Sequence, residues 1–153
     1  MSAIRLDGAA RARAVHADTL QRVKRLLQHG ITPQLAVLLS TDDPAARSYL
    51  KAKQRAAEAV GVLVDVHVMP DATTASIVAW IEERAADEHI SGILIETPLP
   101  AGIDVGRVRQ ALPADLDVDG VGVSSVGRLT AGGSDAYPPA TAQAAVSYTH
   151  LRA

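Results

Sequence analysis

Residues 34–40, QLAVLLS, are a short continuous apolar run closed by turn signals, Thr32-Pro33 before it and Asp43-Pro44 after it. Such a run suits a strand buried on both faces, the kind found in parallel sheets whose crossover helices cover both sides. The segments around it have a helical or a two-residue period. Leu20, Val23 and Leu27 recur at helical spacing, extended backwards by Ala12 and Val15, and Gly30 follows as a stop, so a helix is predicted over about residues 8–29. Asp43-Pro44 starts the next helix for a physical reason. The carboxylate caps free backbone N–H groups, and a proline at the first helical position forfeits no hydrogen bond. That helix should run through the alanine-rich stretch to Val60 and end at Gly61.

Val62, Val64, Val66 and Val68 then alternate with other residues, a strand by period, and residues 71–87 read as a third helix with Ile77, Trp80 and Ile81 on one face. Residues 92–95 (GILI) give a third strand, followed by the stiff Pro98-Leu99-Pro100, and residues 104–112 a short helix. Alternating strands and helices with short connections imply right-handed crossovers. The expected fold is α/β, a three-layer α-β-α arrangement around a small, mostly parallel sheet. From about residue 113 the chain becomes loop-rich, with Gly120, Gly122, Gly127, Gly132 and Gly133, and a domain edge is expected there. A last helix starts near Pro139 and is expected to break at Ser147.

The 153 residues are one domain's worth of chain, and 48% hydrophobic with 21% charged residues is an ordinary globular balance. The formal net charge of -2 and the dispersed basic residues give no reason to expect a nucleic-acid partner. There are no cysteines, which excludes disulfides and thiolate chemistry and fits a reducing compartment. Apolar runs such as residues 35–39 are far too short to span a bilayer, and the arginine-bearing start is interrupted by Asp7 and Asp18, so a cytoplasmic location without a membrane partner is expected.

Ligands of an open parallel sheet bind beyond the carboxyl ends of the strands. Three polar features fall there: the helix carrying Tyr49 and Lys53, then Glu96 ahead of Pro98-Leu99-Pro100, then Asp117-Val118-Asp119-Gly120. Tyr49 and Lys53 are four apart and share a helix face, so a lysine acid/base could sit beside a ring that stacks on an aromatic ligand. The same spacing also fits a solvated surface helix. The Tyr-x-x-x-Lys of short-chain dehydrogenases is ruled out because no glycine-rich cofactor turn precedes it here. Asp117 and Asp119 fall on opposite sides of an extended segment, so one of them could accept from a ligand's N–H groups, or both could be solvated loop acids. Glu96 could line a site, or cap or ion-pair with a neighbour. The five histidines show no metal-ligand spacing, and no G-x-G-x-x-G or Walker-type loop is present, so neither a metal nor a nucleotide phosphate site is expected.

Taken in order, these segments resemble the catalytic domain of the bifunctional methylenetetrahydrofolate dehydrogenase/methenyltetrahydrofolate cyclohydrolase family. Residues 4–8 (IRLDG) look like its opening strand and turn. Residues 35–61, with Asp42-Asp43-Pro44-Ala45, Tyr49, Lys53 and Ala56 to Gly61, match its most distinctive motif. Residues 92–100 (GILIETPLP), 117–120 (DVDG), 126–129 (VGRL) and 137–141 (YPPAT) match later signatures, and the likeness spans about residues 4–146.

The resemblance implies an enzyme of one-carbon metabolism that oxidises methylenetetrahydrofolate with NADP or NAD and then hydrolyses the methenyl bridge. It implies that Lys53 is the acid/base near the one-carbon unit, that Tyr49 stacks on the aminobenzoate ring and that Asp119 holds the pterin edge. Pro98, Leu99 and Pro100 would wall the folate cleft, and a carboxylate can accept two parallel hydrogen bonds from a pterin. The nicotinamide cofactor belongs to a Rossmann-type domain that lies beyond the part matched here. The parent is expected to be a homodimer through that other part, with no stable dimer of this chain.

The family's glutamine in the third motif is Glu96 here. Opposite unit charges about 4 Å apart at an effective dielectric of about 20 attract by around 4 kcal/mol, so a carboxylate there favours the ammonium form of Lys53 and opposes a base role. Weakened or lost cyclohydrolase activity with retained folate binding is expected, and a non-catalytic or dehydrogenase-only folate-binding paralogue is the alternative. Thr41, Leu116 and Ser125 stand where the family has glycine, lysine and asparagine, and Ala142 and Ala144 where it has proline and glycine. Residues 147–153 (SYTHLRA) resemble translated adapter sequence and are expected to lie outside the domain formed by residues 1–146.

Overall fold

The computed structural model describes residues 8–133 and 137–149, the side chains of 148 and 149 excepted. Six helices and three strands follow in order: α1 (Gly8–Gln28), β1 (Gln34–Leu39), α2 (Pro44–Glu58), β2 (Leu63–Val68), α3 (Thr74–Ala85), β3 (Gly92–Ile95), α4 (Val105–Ala111), α5 (Val123–Thr130) and α6 (Ala140–Thr149). The strands form one sheet in the order β2-β1-β3, and both pairings are parallel rather than mostly so. The register sets Val37 beside Val66 and beside Leu94.

Strand alternation sorts the core into two layers. Ala36, Leu38 and Ile93 pack with Ile77, Trp80 and Ile81 of α3 and Val108 of α4 on one face, whereas Val37 and Leu39 pack with Leu50 of α2 on the other. The α-β-α layering expected from the apolar run is present, with β1 buried on both sides. Burying each such Leu or Ile contributes about 1.5–3 kcal/mol, so β1 is the energetic centre of the fold.

Local chemistry fixes where the elements begin. Asp43 caps α2, its carboxylate accepting from the Ala45 N–H at 3.0 Å with Pro44 at the first helical position. Thr73 and Ser76 form a reciprocal capping box that starts α3 later than residue 71. Asp104 caps α4 by accepting from the Arg107 N–H at 3.0 Å. Gly92 is required by close approach, since a Cβ there would lie 2.4 Å from Val118 Cγ1. That approach lets residues 116–118 run along the outer edge of β3, where the Ile93 N–H donates to the Leu116 carbonyl at 2.7 Å.

Several expectations are corrected. The stretch after residue 113 is not only loop: α5 forms across Gly127, with Ser125 buried against the domain, Val123 and Val126 exposed, and its glycine facing open space. Helix α2 ends at Glu58, two residues before Val60, as Gly61 turns the chain with φ 84°. Helix α6 continues past Ser147 to Thr149, with no proline or glycine to stop it and with the Ser147 Oγ accepting from Arg11 Nε at 3.0 Å. Only Val23 of the α1 apolar stripe is buried, whereas Val15 and Leu27 are exposed. Most of the predicted opening strand at residues 4–8 lies outside the described residues.

Candidate active site

Helix α2 leaves the carboxyl end of β1, and its Ala46–Leu50 side is drawn onto the sheet by Val37 and Leu39. Lys53 is thereby turned towards the carboxyl end of β3, the neighbouring strand. Glu96 follows β3 directly, held there by its own N–H donating to the Leu38 carbonyl at 2.9 Å. Lys53 Nζ meets both oxygens of Glu96, at 2.7 and 2.9 Å. The same ammonium lies over the Tyr49 ring, 4.5 Å from its centroid.

The environment of this cluster is graded. Glu96 is buried, its side chain 10% exposed, while that of Lys53 is 32% exposed and Tyr49 as a whole is 62% exposed. A carboxylate in that position needs a partner, because an isolated buried charge costs several kcal/mol. Lys53 supplies the charge, and two of its three N–H donors reach Glu96. One N–H remains for a ligand laid over the exposed Tyr49 ring. The arrangement can therefore donate a hydrogen bond or a proton from Nζ. Taking a proton onto Lys53 requires first losing one, which leaves Glu96 buried and uncompensated.

Pro98, Leu99 and Pro100 continue from Glu96 through a cis Thr97-Pro98 peptide bond. They line a cleft of about 480 Å³ together with Ser40, Thr41, Asp42, Pro70 and Asp71, at the carboxyl edge of the whole sheet. Leu99 also packs on the core. A larger concavity of about 960 Å³ lies elsewhere, between α1, α6 and the end of α2, away from Lys53 and Glu96.

The two acids of residues 117–120 divide sharply. Asp117 is fully buried and accepts from the N–H groups of Val121 and Gly122, at 3.2 and 2.7 Å. Asp119 is half-buried, and its carboxylate takes no hydrogen bond from any described residue. The structure brings Tyr49, Lys53 and Glu96 into contact. It gives Asp119 no direct bond to any of them. Among the described residues no three His, Asp or Glu side chains converge as a metal would require.

A family model, tetrahydrofolate dehydrogenase/cyclohydrolase, catalytic domain, matches residues 6–119. The chain belongs to that family. The bifunctional protein FolD of Lacticaseibacillus paracasei is 45% identical over 130 residues, which cover 84% of this chain and 46% of that protein. Among solved structures, the bifunctional FolD methylenetetrahydrofolate dehydrogenase/cyclohydrolase from Campylobacter jejuni superposes with a TM-score of 0.90 at 28% identity, covering 95% of this chain and 52% of that one. The 5,10-methylenetetrahydrofolate dehydrogenase of the silkworm, Bombyx mori, superposes with a TM-score of 0.91 at 29% identity, covering 98% and 52%. The chain spans about half the length of the relatives it matches.

Within this tetrahydrofolate dehydrogenase/cyclohydrolase domain one polar group, Ser40, escapes the sequence reading, and another, Asp117, is singled out there without its structural role. Ser40 is buried at the end of β1 with its Oγ unpartnered, beside the cleft. The Asp117 carboxylate organises the turn into α5. Ser40 carries no sequence signal beyond a polar residue closing an apolar run. Asp117 has one, a carboxylate four and five residues ahead of the N–H groups at a helix start.

Proposed function

We propose that this chain is the folate-binding catalytic domain of a bifunctional methylenetetrahydrofolate dehydrogenase/cyclohydrolase. The observation that carries the reading is Lys53, held by Glu96 and laid on Tyr49 at the carboxyl edge of the sheet. In this reading the aminobenzoate ring of the substrate stacks on Tyr49, and the free N–H of Lys53 points at the one-carbon bridge. The half-buried Asp119, whose carboxylate takes no hydrogen bond from any described residue, accepts from the pterin's amino and ring N–H groups, and Pro98, Leu99 and Pro100 wall the cleft. Two charge-assisted hydrogen bonds to Asp119 are worth about 1.5–3 kcal/mol each, enough to set the pterin's orientation.

NADP or NAD is the hydride acceptor of the parent, and the residues of this chain do not fit it. Asp42 and Asp43 follow β1, Asp71 follows β2 and Glu96 follows β3, so every strand end that could receive a pyrophosphate presents a carboxylate. The Asp43 carboxylate already occupies the Ala45 N–H at the start of α2. This chain's share of the chemistry is to bind, orient and protonate on the folate side.

Glu96 sets the balance between the two activities. With both carboxylate oxygens on Nζ, Lys53 serves as a hydrogen-bond and proton donor, and its use as a base in hydrolysing the methenyl bridge is opposed. Folate binding is retained and cyclohydrolase activity is weak. The same ion pair favours a second reading, a non-catalytic folate-binding module.

Calorimetric titration of the chain with 5,10-methenyltetrahydrofolate, followed by its absorbance over time, separates the readings. Binding with slow accelerated hydrolysis supports the enzyme, and binding with hydrolysis at the solvent rate supports the module. No binding sinks both.

A further inference from the structure

The two outer edges of the sheet are treated differently. The outer edge of β3 is taken up by residues 116 and 117, through the Ile93 N–H bond to Leu116 and the bridge to Asp117. The outer edge of β2 is covered by no described strand. Leu63 and Met69 donate their N–H groups to Pro33 and Leu39 of the β1 side. Backbone polarity alternates along a strand, so the odd-numbered residues face β1 and the N–H and C=O groups of Val64, Val66 and Val68 point outward.

Edge strands are commonly protected by proline, by lysine or by a bulge. β2 reads LVDVHV, has none of these and pairs with β1 without interruption from end to end. Its ends expose Leu63 and Val68, 54% and 39% accessible. Asp65 and His67 flank Val66 on the α3 face, the first 3.9 Å from Arg84 and the second against Trp80.

Against the expectation that this chain forms no stable dimer, we propose that β2 pairs with β2 of a second copy of this chain, antiparallel about a two-fold axis through Val66. That register is dictated by the outward groups: Val66 exchanges hydrogen bonds with its own copy, and Val64 with Val68 of the other chain. The side chains then complement themselves. Asp65 stands opposite the second copy's residue 67, a histidine whose ring N–H donates to it, and the exposed Leu63 stands opposite the second copy's residue 69, a methionine. Directly opposed pairs of this kind approach to about 4.5 Å between Cα atoms. One patch serves both partners, as an isologous interface requires. The sheet becomes continuous through both protomers, through a surface that includes neither Lys53 nor Glu96.

Sedimentation over a dilution series, with amide hydrogen exchange at its two ends, tests this on the whole chain. The expected result is a monomer–dimer equilibrium in which the amides of Val64, Val66 and Val68 gain protection with concentration while those of Asp65 and His67, bonded to β1, do not change. His67→Asp sets acid against acid at both symmetric positions and should raise the dissociation constant roughly tenfold. Exchanging the pair, Asp65→His with His67→Asp, should restore it. A monomer throughout, a dimer whose outward amides exchange at the dilute rate, or a dimer indifferent to His67→Asp would each overturn the proposal.

Discussion

The carboxylate of Asp117 receives the Gly122 N–H at 2.7 Å and the Val121 N–H at 3.2 Å, and so closes the turn that launches α5. Asp117 is fully buried, its own carbonyl accepts from the Gly120 N–H at 3.1 Å, and its backbone bridges to Ile93 of β3. It ties the last part of the domain to the sheet. Asp117→Ala strands two donors in a dry turn, and each orphaned group costs about 1–3 kcal/mol. Urea unfolding should show a loss of at least about 2 kcal/mol with no direct loss of a ligand contact. An unchanged midpoint would mean that water replaces the carboxylate.

The sheet and its order of helices were legible because a continuous apolar run at β1 and a two-residue alternation at β2 are separated by helical periods with short connections, the pattern of a parallel sheet with crossover helices. Residues 92–95 are the clearest case, read and found with the same bounds. What escaped depends on contacts between distant segments. The stripe on α1 reads as a buried face, yet whether Val15 and Leu27 are covered is decided by what packs there and not by their spacing. Helix α5 was read as loop because glycines at 120, 122 and 127 outweigh three valines locally, and only the Asp117 turn and Arg128, 2.7 Å from Asp115, show why the segment coils. At the site, spacing put Tyr49 and Lys53 on one face. That Lys53 reaches Glu96, 43 residues further on, follows from the β1–β3 pairing, which a local period does not reveal.

Glu96→Gln tests the charge argument directly. The amide oxygen still accepts one hydrogen bond from Lys53, and the buried negative charge that opposes loss of a proton from Nζ is gone. Hydrolysis of methenyltetrahydrofolate should rise at least roughly tenfold, a modest part of the 10²–10⁴ that a positioned base supplies. Lys53→Met in the Glu96→Gln background should remove the gain. Equal rates in the wild type and Glu96→Gln would show that Lys53 is not limited by its partner.

Asp119→Asn separates binding from folding. Its carboxylate supports no described hydrogen bond, so thermal unfolding should move little. The amide presents one acceptor and one donor where the pterin edge offers donors, which loses one charge-assisted bond and opposes another. Affinity for a folate analogue should fall by roughly tenfold to a hundredfold, the equivalent of about 1.5–3 kcal/mol. A matching loss of stability with unchanged affinity would assign Asp119 to the fold instead.

Gly120 occupies the left-handed region at φ 64°, and a Cβ there would lie 2.6 Å from the Tyr137 carbonyl oxygen and 2.8 Å from the backbone of Pro138 and Pro139. The Ala140 N–H, at the start of α6, donates to the Asp119 carbonyl at 3.3 Å, so this crossing of two backbones is what seats α6 on residues 117–120. Gly120→Ala carries the left-handed penalty of about 1–2 kcal/mol, and the clash comes on top of it. Because the atoms it meets are backbone, no side chain can turn aside, and residues 137–139 must move away. Amide exchange in α6 should accelerate more than exchange in β1, with a drop in unfolding free energy of at least about 1 kcal/mol. Unchanged protection of α6 in Gly120→Ala would show that this contact does not hold the helix to the domain.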